Sequence, residues 1–240
     1  MWLSPKGLAV LFAYTVLLSV MAYAAATDAD LNLLDARESV GVVVRSVIGL
    51  GTVAALVVSA DAIAGERERD TLEALLVTAV PRRNLVIGKL LAASTMWMAA
   101  IILALPYVFV MANGPGVTLD AVLVLVAVGS LVGAALTAFG MAVSALAFSN
   151  RVSLAAAFGT LLVLAAPSQL PAITAKGVVG ALLIKINPFS AGLVLAGRIL
   201  IDHKSWSSQW TLLIAPVVAA ITLTIVAVAL SRRLKLGGVR

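Results

Sequence analysis

The chain contains no cysteine and a single histidine, His203, among its 240 residues. Without cysteine there is no disulfide framework, no thiolate metal site and no cysteine nucleophile. His203 lies between Asp202 and Lys204 in a polar stretch, where it reads as a solvated side chain, and it has no companions at metal-ligand spacing. Charge is scarce as well. Only 12% of the residues are Asp, Glu, Lys or Arg, where a soluble domain carries roughly 25%. Hydrophobic residues make up 62% and the mean hydropathy is +1.12. A soluble core cannot hide that much apolar surface, so lipid must be the solvent. Soluble enzymes, secreted disulfide scaffolds and disordered tails are excluded.

Two further absences narrow the mechanism. The phosphate-binding pattern G-x-x-x-x-G-K-[ST] is missing, and Gly88-Lys89-Leu90 lacks both the upstream glycine and the hydroxyl. The chain therefore has no ATP site of that kind, and no catalytic residue and no cofactor of its own are expected. Nor do the apolar runs contain the acid–base chain that proton-coupled carriers use. The net charge of +6 sits beside apolar runs rather than on a soluble surface, which signals membrane topology and not nucleic acid.

What is present is a series of apolar runs. A spanning helix needs about 20 mostly apolar residues. Uncharged runs cover Gly7–Thr27, Leu90–Leu119, Ala121–Asn150, Val152–Ala175 and Ser205–Ser231. Asn113-Gly114-Pro115-Gly116 ends the second of these, and Ser149-Asn150-Arg151 makes a turn after the third. A further span is bracketed by Arg45 and Asp61. A charge at the bilayer centre costs roughly 2.5–3.5 kcal/mol, so both must lie near the interfaces, with Arg45 snorkelling. The spans are expected at about 7–27, 42–64, 90–112, 121–148, 152–167 and 209–231. Lys6, the apolar stretch after it and Ala22-Tyr23-Ala24-Ala25-Ala26 also resemble a secretory signal; a retained first span is the reading taken.

Orientation follows from lysine and arginine in short loops. Arg67, Arg69, Arg82, Arg83 and Lys89 put the segment 66–89 in the cytoplasm, and Arg232, Arg233, Lys235 and Arg240 put the tail there too. The acidic loop of Asp28, Asp30, Asp35 and Glu38 is then outside, as is Asp120, and both termini are inside. An even number of spans follows. Residues 168–208 are accordingly read as an outer region in which two short helices, separated by Asn187-Pro188, dip partway into the membrane, with Lys176, Lys185, Arg198 and Lys204 outside. The fold class is an all-α polytopic membrane protein with six transmembrane helices, one short cytoplasmic helix after the second and a re-entrant pair before the sixth.

That short helix lies in ADAIAGERERDTLEALLVTAVPRRNLVIGKLLA, residues 60–92. Asp70 suits an N-cap with Glu73 as its capping partner. Leu72, Leu75, Leu76 and Ala79 form one apolar stripe, and Pro81 stops the helix and suits the first turn of the next. Topology needs the basic residues here but not Glu66, Glu68 and Glu73. The segment resembles the cytoplasmic loop of type-2 ATP-binding-cassette (ABC-2) permeases, whose pattern is Gly-Glu-Arg-Glu-x-Gly-Thr-Leu-Glu, then leucines, then Arg-Arg and Gly-Lys-Leu-Leu. Gly65, Glu66, Arg67, Glu68, Thr71, Leu72, Glu73, Leu75, Leu76, Arg82, Arg83, Gly88, Lys89, Leu90 and Leu91 match, while Asp70 replaces a glycine and the proline falls at 81 rather than at Ala79.

The resemblance implies a coupling helix that docks into a separate ABC ATPase subunit, which would hold the ATP and Mg, through Glu66, Arg67, Glu68, Arg69, Asp70, Thr71, Leu72, Glu73, Leu75, Leu76, Arg82 and Arg83. It further implies a permease in the inner membrane of a prokaryote, paired with a second copy or a paralogue, that exports a substrate by alternating access. A force-transmitting membrane subunit and an ATPase-independent channel or carrier stay open as alternatives. The family usually begins with an interfacial helix; only Met1–Lys6 precedes the first span, so that element is expected to be missing or reduced. In the fourth span Gly129 and Gly133 form G-x-x-x-G, with Thr137 and Gly140 continuing the face, a surface for close helix packing within one subunit or across a dimer. Trp97, with Met96 and Met98, reads as core or lipid contact, with a transport path as the alternative.

Overall fold

A computed structural model describes residues 5–30, 35–77, 79–169 and 178–233. The expectations for Lys176, for Lys235 and Arg240 in the tail and for Met1–Ser4 fall outside the described residues. The helices are α1 (Pro5–Asp30), α2 (Ala36–Glu68), the short α3 (Thr71–Leu76), α4 (Arg82–Asn113), α5 (Thr118–Leu123), α6 (Gly129–Leu146) and α7 (Asn150–Gln169). They continue with α8 (Val178–Ile186), α9 (Pro188–Leu200), one turn α10 (Trp206–Gln209) and α11 (Thr211–Ala229). A π-helical turn, Val124–Val128, joins α5 to α6, so these form one span.

Among the described residues six helices are long and apolar enough to cross a membrane, and the protein is a membrane-spanning helical bundle. The helices outlast their apolar runs: α2 reaches Ala36 and Glu68 where hydropathy marks 42–64, and α4 starts at Arg82 rather than 90. Backbone hydrogen bonds continue into water, whereas hydropathy marks only the part that lipid surrounds. The turn after α4 uses Gly116 at φ +70°, which glycine adopts without a Cβ clash.

The bent pair α8–α9 turns through 103° at Asn187. Asn187 caps α9 by accepting the backbone N–H groups of Phe189 (3.0 Å) and Ser190 (3.1 Å), and Pro188 takes the first helical position. The Asn187 Nδ2 and the Ser190 hydroxyl both donate to the Leu164 carbonyl, at 2.6 and 2.8 Å, which pins the bend to α7. Leu164 lies five residues before Gln169, so the bend is held beside the last described turns of α7.

Helix α2 is the centre of the bundle and packs on α1, α4, α6, α7 and α9. In its apolar window 61% of the residues are buried, against 17% in α7 and in α11, which therefore leave most of their surface to lipid or to another chain. One core, including Val43, Val47, Ile48, Trp97, Leu125, Val132 and Leu195, runs through the membrane. Trp97 is held in it by close contacts. A Cβ added at Gly51 would lie 2.6 Å from the indole, one at Gly129 2.9 Å and one at Gly133 2.7 Å. The ring fills a notch cut by glycines of α2 and α6, and its N–H donates to the Ser130 hydroxyl at 3.2 Å. Gly129 and Gly133 thus face a side chain of their own subunit. Trp97 and Met96 are buried core, while Met98 is exposed.

Candidate functional site

The charged loop after α2 lies at one end of the bundle, and its local structure follows from how α2 stops. Arg69 is the C-cap and Asp70 the residue after it, in the left-handed conformation at φ 56° and ψ 17°. The Asp70 N–H donates to the Arg67 carbonyl at 3.3 Å, one of the bonds of a glycine-type helix stop, and the Thr71 hydroxyl donates to the Glu66 carbonyl at 3.2 Å. The expected capping box is therefore absent: Asp70 makes no side-chain cap bond to α3. Its place is the one at which the family pattern carries glycine, and a left-handed turn explains why.

Helix α3 follows at once and ends at Leu76, well before Pro81. Ala79 is thus off the helix and exposed, and Pro81 is the N-cap of α4 rather than its first helical residue. Leu72 is buried, 4% exposed, in a second small core of Ala62, Ile63, Val86, Met141, Ala142, Ala145 and Ala227. Those residues belong to α2, α4, α6 and α11. Leu76 packs against the same cluster, and Leu75 is half-buried. Thr71, Glu73 and Ala74 face outward, as do Arg82 and Arg83 at the start of α4. Cations at a helix N-terminus oppose the macrodipole, so those two arginines are not there to stabilise α4.

Most of the other charges are spent within the chain. Glu66 forms an ion pair with Lys89, both largely buried at 23% and 12% side-chain exposure, and the Lys89 ammonium also donates to the Ala62 carbonyl at 2.7 Å. Arg67 donates to the Ala147 carbonyl and, at 3.4 Å, to the Ala145 carbonyl, placing a cation at the C-terminus of α6. Glu68 accepts the Asn150 N–H at 3.0 Å, placing an anion at the N-terminus of α7. Consecutive residues of α2 thus complement the dipoles of two other helices across one turn. Arg69 pairs with Asp61 at 3.5 Å, and Lys6 approaches the same carboxylate at 3.8 Å.

Serine hydroxyls bind this end together. Ser144 of α6 accepts the N–H groups of Ile63 (3.0 Å) and Ala64 (2.9 Å), and Ser153 of α7 donates to the Ala60 carbonyl at 2.8 Å. Sequence reasoning missed Asp61, Ser144, Asn150 and Ser153 as parts of the site. The available signal was a serine inside an apolar run, which has to bond a neighbouring helix or its own backbone. Beside the loop, Phe148 is 90% exposed and Val77 75% exposed, apolar side chains at a polar end of the molecule.

At the opposite end Arg37 bonds His203 at 2.6 Å, and the Trp206 indole donates to Asp120 at 3.2 Å, so His203, although exposed, has a protein partner. Among the described residues no cluster of acids and histidine could hold a metal.

The class defined by this architecture is a polytopic helical membrane protein with a short helix strapped across the charged ends of its spans. The comparison of families agrees: the chain belongs to the ABC-2 transporters, matching the model described as "ABC-2 family transporter protein" over residues 4–234. Membrane subunits of this family usually pair with ATPase subunits. No curated protein matches the chain.

Proposed function

We propose that the chain is the permease subunit of an ATP-driven exporter, a single transmembrane domain over residues 1–240 that moves its substrate outward by alternating access. One observation carries this reading. Leu72 ties α3 to α2, α4, α6 and α11, while Thr71, Glu73 and Ala74 of the same helix face outward. A partner that grips the outer face of α3 therefore moves four membrane helices with it. Membership of the ABC-2 family supports an ATPase as that partner, with ATP and Mg held there and none in this chain. Asp70, Thr71, Glu73, Arg82 and Arg83 are the charged and polar contacts the partner meets, with Val77 and Phe148 beside them. Glu66, Arg67, Glu68 and Arg69 position the loop, and Leu72, Leu75 and Leu76 seat it.

In this reading segment 66–89 and both termini lie in the cytoplasm of a prokaryote and residues 168–208 lie outside. A second copy or a paralogue covers exposed membrane helix surface. The test is purification of the tagged full chain from its native membrane. A co-purifying ABC ATPase, and ATP-dependent accumulation of cargo in inside-out vesicles, are the expected results. An ATPase that binds without any transport would make the chain a force transmitter instead, and no ATPase at all would overturn the proposal.

A further inference from the structure

A cleft of about 560 Å³ opens on the side of the bundle between α1, α2, α7 and α9, a size within the roughly 300–1,000 Å³ of small-molecule sites. Its walls are apolar, formed by Met21, Leu50, Val53, Leu161, Phe189 and Leu193 among others. Among the described residues Arg45 is the only charged side chain in the lining, and Ser46 and Ser168 are the only other polar ones. Along α2, Arg45 is about 13 Å from the helix start and Val53 about 12 Å deeper. Arg45 lies about one turn inside the apolar run of 42–64, so we read the cleft as starting near the headgroups and running toward the bilayer middle.

Arg45 is half-buried, and its guanidinium is under-used. Its Nε donates to the Gly41 carbonyl at 3.1 Å. Among the described residues its two terminal nitrogens have no hydrogen-bond acceptor and no carboxylate within 4 Å. Glu38 and Asp202 act on it only from farther away. Gly41 and Gly197 flank the group, each without a side chain to cover it. An arginine in apolar surroundings needs a compensating anion, and its planar fork suits the two oxygens of a phosphate. Basic pockets between membrane helices hold phosphate headgroups by this means.

We propose that this cleft binds one phospholipid molecule, with Arg45 on the headgroup phosphate and an acyl chain lying along α2 past Gly49 to Val53. The site needs both parts of the ligand, because among the described residues the walls offer a free phosphate one cation and two hydroxyls, Ser46 and Ser168, and offer a phosphate-free lipid no partner for that cation. The inference rests on this chain alone and stands whether or not the chain exports anything.

Native mass spectrometry of the purified full chain tests it, with phosphatidylglycerol as probe against diacylglycerol of the same acyl composition. One phosphatidylglycerol should remain bound, diacylglycerol should not, and glycerol phosphate at millimolar concentration should fail to displace the lipid. Arg45→Gln should weaken retention by at least about tenfold, as removal of one partner of a desolvated charge pair does. Gly49→Leu gives a second measurement with little risk to folding, since a Cβ there meets nothing within 4 Å; it should fill the cleft and expel the lipid with Arg45 intact. Equal retention of diacylglycerol, displacement by glycerol phosphate, or wild-type binding in either variant would overturn the proposal.

Discussion

The Glu68 carboxylate accepts the backbone N–H of Asn150, the first residue of α7, at 3.0 Å. A charge that by its surroundings in the sequence belongs to a solvated loop is the cap of a helix that begins 82 residues later.

Removing that cap should destabilise α7 at its start. Loss of a side-chain acceptor at a helix N-terminus costs about 0.5–2 kcal/mol, so Glu68→Ala should lower the unfolding free energy in detergent by about 1 kcal/mol. Glu68→Gln keeps an acceptor oxygen and should lose less. Thermal unfolding followed by tryptophan fluorescence separates the two; equal losses would mean that the bond contributes nothing.

Glu66 and Glu73 should behave differently although both are glutamates of the same loop. Breaking a largely buried pair leaves an uncompensated charge, a loss of roughly 3–5 kcal/mol for a fully buried one and less here. Glu66→Gln should therefore reduce stability and Glu73→Gln should not, staying within about 0.5 kcal/mol. Glu73→Lys should show itself only with the ATPase present, as weaker association or as hydrolysis that no longer responds to substrate. Unchanged association and hydrolysis would remove Glu73 from the docking surface.

Asp70 should tolerate glycine better than a β-branched residue. A left-handed residue other than glycine costs roughly 1–2 kcal/mol, with Asp and Asn at the low end. Asp70→Gly is expected to hold or raise stability, and Asp70→Val to lower it by about 1–2 kcal/mol. If valine is accepted as readily as glycine, the turn is not left-handed in solution.

The notch around Trp97 gives a coupled prediction. Gly133→Ala places a methyl 2.7 Å from the indole, and overpacking of this kind costs about 1–3 kcal/mol. In a Trp97→Leu background the same change should cost much less, so a double-mutant cycle should show coupling. Gly159→Ala serves as the control, because its Cβ meets nothing within 4 Å; it should be neutral or stabilising by about 0.5–1 kcal/mol. Additive effects at Gly133 and Trp97 would contradict the packing described.

The absence of native cysteine makes topology directly measurable. Single cysteines at Glu73 and Lys204 should react with an impermeant reagent from opposite sides, and those at Val178 and Lys204 from the same side. Opposite-side labelling of the latter two would make the bent pair a seventh crossing.

The parts of this architecture legible in the sequence were those written locally. Long apolar runs marked the six spans, Asn187-Pro188 marked the bend, and the residues from Gly65 to Leu76 marked a short helix beside the membrane. The partners of that helix were not legible. Glu66 meets Lys89, but Arg67 and Glu68 meet Ala147 and Asn150, which are brought alongside only when α6 and α7 pack on α2. Asp70 misled for a different reason. The same aspartate serves as a helix cap or as a left-handed stop, and only the backbone path decides which. Trp97 and its glycines show the same limit: a G-x-x-x-G says that something approaches closely, not that an indole from α4 does.

Helix α2 contains no proline, unlike α4, α7 and α11, and its 33 residues make a rod about 50 Å long. One end carries the strapped loop and the other part holds Arg45. A helix without a proline kink resists bending, so a displacement imposed at the Glu68 end would be felt along the shaft at Arg45. Helix α7 is fastened to the same shaft, through Glu68 on Asn150 and Ser153 on Ala60, so one wall of the cleft would travel with Arg45. Whatever Arg45 holds would ride with the shaft and that wall together.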